Sequence, residues 1–271
     1  MKKWNKGMSA ATLSLAVILF AQGCAKVPVT GRRELNFVSS GDEMQLGLTS
    51  FDQLKTNTPI NHDPAMNAMV QRVGKRIAGV AGNDLPNAQW EFVVFESKEA
   101  NAFCLPGGKV GVYTGLLPIT KDDAGLATVI GHEVGHAVAH HGAERMSEAK
   151  VMQKTGEYLG SAISSDTSYW DDAAMMAYGV GSKYGRELPH SRKQESEADH
   201  IGIVYMARAG YDPASAVAFW QRFADFEKQH GGGKTSFLAK FSSTHPVDAE
   251  RISALQKLLP EAQTEFAKSK H

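Results

Sequence analysis

The sequence predicts a mainly helical α+β fold with a small β-sheet flanking one central helix. Apolar residues recur at helical spacing in several stretches of the 271-residue chain. Residues 90–114 are instead rich in β-branched and aromatic side chains and are interrupted by Pro106-Gly107-Gly108, which indicates short strands joined by a turn. No repeat or linker divides the chain, and its length is ample for one domain with a substantial core.

The first residues have the pattern of an export signal. Three lysines lie within the first six residues, an apolar stretch covers residues 10–20, and small residues precede Cys24. The apolar stretch is too short to span a bilayer comfortably. We therefore expect a signal peptide over residues 1–23, a tether over residues 24–41 and the folded domain over residues 42–271.

The position of Cys24 resembles the lipobox of bacterial lipoproteins, although Ala21 stands where leucine is usual. The resemblance implies cleavage before Cys24 and a lipid anchor on that residue. Ordinary cleavage that leaves a free thiol, or an uncleaved anchor, are the alternatives. Because Ala25 is not aspartate, the same resemblance implies a location at the periplasmic face of the outer membrane.

Charge and cysteine content exclude some classes of protein. The chain has 29 basic and 29 acidic residues, and removal of residues 1–23 with their three lysines leaves a net charge of −3. This balance predicts no nucleic-acid partner. With Cys24 acylated, Cys104 has no partner for a disulfide, and the residues near it in sequence offer no group that would activate its thiol, so we expect it to be a packing residue.

The elements before the central helix follow from local patterns. A helix is predicted from about Asp42 to Lys55, and a second begins at Asp63-Pro64, where a capping residue precedes proline at the first helical position. Three strands follow, at Trp90–Phe95, Asn101–Leu105 and Lys109–Thr114. Glycines interrupt helical patches over residues 144–190, which predicts either a mobile cover over a cleft or two ordinary packing helices.

The central helix carries His132-Glu133-Val134-Gly135-His136. Side chains four residues apart share one face of a helix, so His132 and His136 can bind a single metal ion. Glu133 lies beside them and can hold a water bound to that metal without being a ligand. Asp122 and Asp123 are candidate caps for this helix. The arrangement is that of a zinc peptidase.

A zinc peptidase site needs a third protein ligand and an open position for water. The spacing of a third histidine typical of metzincins is absent, and we expect His140 and His141 to lie at the surface or behind the ligands. Glu195 and Asp199 are four residues apart on a later predicted helix. Glu195 can bind the metal while Asp199 accepts the free ring N–H of a ligand histidine. Glu197 is expected to point elsewhere, into solvent.

These motifs together resemble the HtpX/BepA/LoiP group of zinc endopeptidases, gluzincin relatives of the CaaX prenyl protease. The resemblance extends over roughly residues 30–258 and is strongest to short, lipid-anchored members such as LoiP. It implies a gluzincin-type domain and one Zn²⁺ per chain. The residues that carry it are His132, Glu133 and His136, Glu195 and Asp199, the Asn101–Gly108 hairpin, and Ser243-Thr244-His245-Pro246 before Arg251.

The resemblance also assigns roles by position. His132, His136 and Glu195 would be the metal ligands, Glu133 the general base and Asp199 the acid behind the ligands. His245 would swing onto the metal as a fourth ligand that closes the site, or would be only a loop residue before the last helix. The oxyanion donor stays open between His245, Tyr184 and Arg251.

The expected function is cleavage of unfolded or misassembled envelope proteins, with a water activated by zinc and Glu133 as the nucleophile. The expected partners are unfolded or misfolded proteins, the membrane through Cys24, and envelope assembly machinery. Substrate would add as a strand to the edge formed by Asn101–Leu105, although this could be an ordinary edge strand. The alternative is a chaperone or assembly factor for outer-membrane proteins with a structural or closed zinc site.

Overall fold

The computed structural model describes residues 26–34, 36–148, 191–230 and 239–270. It confirms the predicted α+β class, because helices pack around one three-stranded sheet. A 3₁₀ turn covers Thr114–Leu116, and residues 141–148 are also helical. The remaining elements are α1 (Ser40–Asn57), α2 (Pro64–Ala81), β1 (Glu91–Phe95), β2 (Ala102–Leu105), β3 (Lys109–Tyr113), α3 (Leu117–Thr120), α4 (Asp123–Val138), α5 (Arg192–Arg208), α6 (Ala214–His230), α7 (Ala239–Thr244) and α8 (Ala249–Lys268).

Short polar side chains start the helices that matter for the site. Asp122 accepts a hydrogen bond from the Gly125 amide at 2.8 Å and so caps α4, as predicted. Ser191 and Gln194 form a capping box at the start of α5. Asp248 caps α8 by accepting from the Arg251 amide at 2.9 Å. These local bonds fix where the helices begin, and thereby which residues face one another.

The sheet has the strand order β1-β3-β2. β1 is parallel to β3, whereas β2 is antiparallel to it and forms the predicted hairpin. Gly107 and Gly108 have φ values of +81° and +78°, a conformation that glycine adopts at little cost. β2 is thus the edge strand that the sequence predicted. Its four residues are all buried, with α1 and α4 packed against the strand.

Helix α4 is buried on almost all sides by α2, α3, α5, α6 and β2. Its contact with α5 is the closest, because glycines let the two backbones touch. A Cβ added at Gly131 would lie 2.9 Å from the carbonyl oxygen of Gly202, and one at Gly135 would lie 2.8 Å from that of Ala198. The side chains of α4 and α5 that point along this contact can therefore reach a common point.

Several predictions concern residues at the margins of the described chain. Residues 1–25, with Cys24, and residues 149–190, with most of the predicted cover, lie outside the described residues. The division at residues 23 and 41 stays a prediction, although residues 26–34 of the predicted tether lie against the domain. None of the helices in the described ranges has both the length and the apolar character needed to cross a membrane.

Cys104 lies in β2 as a free, buried thiol, 5% exposed. Burial in apolar surroundings disfavours the thiolate and raises the pKa of Cys104. This agrees with the predicted packing role.

Candidate metal centre

Four buried side chains from α4, α5 and the end of α7 converge on one point. His132 Nε2 lies 3.1 Å from His136 Nε2 and 3.1 Å from His245 Nδ1. Oε1 of Glu195 lies 3.2 Å from both His136 Nε2 and His245 Nδ1. All four ligand atoms are within 4.8 Å of one another, and each residue is at most 6% exposed. The predicted ligands and His245 therefore form one cluster.

The spacing of this cluster fits a tetrahedral metal ion. Zn–N bonds of about 2.0–2.1 Å place the corners of a tetrahedron roughly 3.3 Å apart. In the neutral rings, the hydrogen on Nδ1 of His132 goes to Asp199 and that of His136 goes to His141. The two Nε2 lone pairs therefore face each other and a carboxylate. A cation between them removes that repulsion and satisfies every one of these buried atoms. A set of imidazole and carboxylate donors suits zinc and related divalent ions.

Asp199 fixes the orientation of His132. Its Oδ1 lies 2.9 Å from His132 Nδ1, where the sequence analysis placed it, and accepts that ring N–H. The Arg251 guanidinium donates to both oxygens of Asp199, at 2.7 and 2.9 Å. Burial acts to raise the pKa of Asp199, but the charge and hydrogen bonds of Arg251, together with those of His132, outweigh burial and lower the pKa below its usual value. Asp199 thus stays ionised and an acceptor.

Arg251 supplies the positive charge of the centre, a role that the sequence analysis did not assign. Its Nη1 lies 2.8 Å from Oε2 of Glu195, and its guanidinium stacks 3.8 Å from the centre of the Trp220 ring. It occupies the first turn of α8, where the helix dipole disfavours a cation. That unfavourable position is a signal in the sequence that Arg251 has a specific buried partner.

His136 is held from behind by His141, which is buried. The two Nδ1 atoms are 2.8 Å apart, and His141 Nε2 lies 3.0 Å from Oε2 of Glu197. His141 therefore lies behind a predicted ligand, one of the two predicted places, whereas His140 is partly exposed and pairs with Glu43 at 2.8 Å.

The prediction that Glu197 points into solvent is wrong. The residue is 9% exposed, and its carboxylate accepts hydrogen bonds from Thr30, Arg32 and His141. Burial alone would raise the pKa of Glu197, but these hydrogen bonds outweigh it and lower the pKa to about 2. The helical period correctly predicted that Glu197 points away from Glu195. Thr30 and Arg32, which contact it, are more than 160 positions away in the sequence.

Glu133 lies beside the cluster and has a carboxylate oxygen available for a ligand. Its Oε1 is buried and makes no hydrogen bond within the described residues, and the nearest ring nitrogen, His245 Nε2, is 3.5 Å away. Burial raises the pKa of Glu133 above its usual value. A buried carboxylate with a raised pKa next to a metal cluster has the position and basicity of a general base.

Comparison with known proteins identifies the family. A family model described as Peptidase family M48 matches residues 64–259. The mitochondrial metalloendopeptidase OMA1 of Schizosaccharomyces pombe is 36% identical over 88% of this chain and 67% of its own length. OMA1 of Homo sapiens is 28% identical over 96% of this chain. The beta-barrel assembly-enhancing protease of Escherichia coli is 26% identical over 91%. The chain spans about half the length of the last two.

These matches correct one prediction. A location at the periplasmic face of the outer membrane is contradicted, because the matching relatives include mitochondrial enzymes of fungi and animals. The predicted resemblance is confirmed at the level of the family. The names of the matching relatives do not support its narrower part, the likeness to short, lipid-anchored members. Since the matched residues include the whole metal cluster, the chain belongs to peptidase family M48 and is a metal-dependent endopeptidase.

Proposed function

We propose that this protein is a zinc endopeptidase that hydrolyses peptide bonds within unfolded or misassembled polypeptides. One observation carries the proposal: a Glu133 carboxylate oxygen that makes no hydrogen bond within the described residues lies beside three imidazoles and a carboxylate at tetrahedral spacing. The names of the relatives, a metalloendopeptidase and a beta-barrel assembly-enhancing protease, support cleavage within proteins as the chemistry.

His132, His136 and Glu195 would hold the zinc ion. When bound, zinc acts as a Lewis acid that polarises the peptide carbonyl and makes water more acidic. Glu133 accepts the proton of the attacking water and then delivers it to the nitrogen of the leaving amine. Asp199 and His141 keep the two imidazole rings turned so that both Nε2 atoms face the cluster. Arg251 offsets the negative charge that Glu195 and Asp199 bring into the buried site.

His245 gives this site a closed resting state. If His132, His136, Glu195 and His245 all held the ion, no position would be left for a substrate carbonyl or water. His245 follows α7 and precedes Pro246, so it stands on a short connection between two helices rather than inside one. Activity then requires that the His245 ring leave the cluster, which substrate binding would favour by providing a replacement ligand.

The sheet edge offers a way to bind substrates without sequence preference. β2 is the edge of the sheet and packs against α4, the helix with the catalytic glutamate. An extended segment can add to such an edge through main-chain hydrogen bonds, which favours unfolded chains over folded ones. Because the strand is buried in the closed state, we expect its edge to become accessible together with the metal.

The closed site also favours a second function, the binding of unfolded chains without cleavage. In that case the metal would be structural, and His245 would be its permanent fourth ligand. The two functions differ in what happens to the bound polypeptide.

Digestion of a denatured protein separates them. Purified protein is incubated with denatured casein, with a chelator, and with chelator followed by added zinc. If the protein is an endopeptidase, casein should be cut at internal peptide bonds. The chelator should stop this cleavage, and added zinc should restore it. Glu133→Gln is the matched control, because it should retain one zinc per chain yet lose at least about 10²-fold in rate. Retained binding of casein with no cleavage under any of these conditions would instead support the non-hydrolytic function.

A further inference from the structure

A short hairpin at the start of the described chain lies outside the region that matches the family model. We define the N-terminal hairpin as residues 26–33. Its main chain is closed by a bridge between Lys26 and Arg33 and by a hydrogen bond from the Val27 amide to the Arg32 carbonyl at 2.8 Å. Val27 is 2% exposed and belongs to the main hydrophobic core. The hairpin is therefore packed onto the domain.

Two side chains of the N-terminal hairpin hold Glu197 on α5. The Thr30 hydroxyl donates to Oε1 of Glu197 at 2.6 Å, and Arg32 Nε donates to Oε2 at 2.6 Å. Arg32 also donates to Glu144, at 2.5 and 3.2 Å, in the helical segment that carries His141. Both carboxylate oxygens of Glu197 are thus bound by a segment more than 160 positions away in the sequence.

Glu197 in turn sets the hydrogen positions of two histidine rings. A carboxylate only accepts hydrogen bonds, so His141 must donate its Nε2–H to Glu197 across 3.0 Å. The Nδ1 atom of a neutral His141 is then an acceptor, and the 2.8 Å contact requires that His136 donate its Nδ1–H. His136 is left with a lone pair on Nε2, the atom that faces Glu195 at 3.2 Å. These assignments follow from the partners of each ring nitrogen.

The two ligand histidines are therefore oriented in the same way, by a carboxylate that fixes the ring and its hydrogen. His132 contacts its carboxylate, Asp199, directly. His136 reaches its carboxylate, Glu197, through His141. Partners of this kind raise the basicity of a ligand imidazole and stop the ring from rotating.

We propose that the N-terminal hairpin is a positioning element of the metal centre: Thr30 and Arg32 hold Glu197, which orients the ligand His136 through His141. The inference rests on the proposed role of this cluster as a zinc site. It assigns a function to residues that the family match does not include. Loosening the hairpin should weaken metal binding even though none of its atoms touches the metal.

Zinc affinity of the 271-residue chain tests the proposal. Affinity is measured by competition with a chromophoric zinc chelator for the wild type and for Thr30→Val, Arg32→Ala and Glu197→Gln. Loss of such partners commonly weakens metal binding about 10–100-fold, which we expect for Glu197→Gln. A smaller loss, of a few-fold to about tenfold, is expected for each hairpin variant, because the other donor remains. Arg33→Ala, an exposed neighbour in the same hairpin, should bind zinc as the wild type does.

A second measurement distinguishes positioning from simple stability. The visible spectrum of the cobalt-substituted protein reports the geometry of the ligands, so it should change in Arg32→Ala and Glu197→Gln but not in Arg33→Ala. Wild-type zinc affinity and an unchanged cobalt spectrum in Thr30→Val and Arg32→Ala would overturn the proposal, whatever their melting temperatures. Wild-type protein that binds zinc but cleaves nothing would overturn the proposed function alone, and wild-type protein that takes up no zinc would overturn both.

Discussion

Replacing Gly202 with alanine should separate α4 from α5 and disturb the metal centre. A Cβ at position 202 would lie 2.8 Å from the amide nitrogen of His132 and 3.0 Å from its Cα. Both are backbone atoms that cannot rotate away, and the first separation is about 0.6 Å short of an ordinary contact of 3.4 Å. The helices must therefore move apart by several tenths of an ångström. Since metal–ligand distances tolerate only about ±0.2 Å, the ligands on the two helices would no longer fit one ion.

The substitution should lower the free energy of unfolding through overpacking, and it should separately lower the affinity for zinc. Overpacking of this kind costs about 1–3 kcal/mol. For a domain of this size, that corresponds to a fall in melting temperature of roughly 2–4 °C for each kcal/mol. Melting of the metal-free protein measures the first effect, and chelator competition with zinc measures the second. Both the melting temperature and the zinc affinity should be lower in Gly202→Ala than in the wild type.

Gly79→Ala is the matched control for this substitution. Gly79 is exposed on α2, and a Cβ there would meet nothing within 4 Å. Alanine is the better helix former by about 0.8–1.0 kcal/mol, so this variant should be as stable as the wild type or slightly more stable. If Gly202→Ala melted like Gly79→Ala and kept the zinc affinity of the wild type, close backbone contact would not be what brings the ligands together.

Three further substitutions test separate parts of the structure. Asp199→Asn should lower zinc affinity about 10–100-fold, because the amide can donate to His132 Nδ1 and reverse the ring tautomer; chelator competition measures this, and unchanged affinity would contradict it. His245→Ala should keep its zinc and cleave denatured casein faster, whereas slower cleavage would make His245 a substrate contact. In the wild type, hydrogen bonds from Arg72 at 2.7 Å lower the pKa of Asp123. Asp123→Asn should thus lower the free energy of unfolding by a constant amount at pH values above the ordinary pKa of 3.8. This difference from the wild type should disappear as the pH falls through the lowered pKa of Asp123. Urea unfolding over a pH series measures it, and a difference that grew in acid would contradict the ion pair.

Predictions that depended on neighbours in sequence agree with the structure. The two histidines of α4 share a face because they are four residues apart, and the caps at Asp63 and Asp122 start their helices where expected. The turn at Gly107 and Gly108 closes the predicted hairpin. In each case the geometry follows from backbone hydrogen bonds within one or two turns, so a short stretch of sequence contains the necessary information.

Predictions that depended on which segments meet gave a mixed result: Glu195 and Asp199 lie beside the two histidines as predicted, but Glu197 and Arg251 differ. Glu197 was expected in solvent, because the period of α5 shows only that it points away from Glu195. The structure covers it with Thr30 and Arg32. Arg251 was considered only as a donor to the substrate, whereas its contacts with Glu195 and Asp199 make it the cation that the buried acids require.

The sequence alone determined that one helix presents two imidazoles and a carboxylate, and that a later helix presents two acids one turn apart. The tertiary structure decided how close Glu195 comes to the two histidines, that His245 lies in the same cluster, and that Thr30 and Arg32 contact Glu197. The reason is physical: spacing within a helix is set by its own hydrogen bonds, whereas contacts between distant segments depend on how closely surfaces pack, as the glycines between α4 and α5 show.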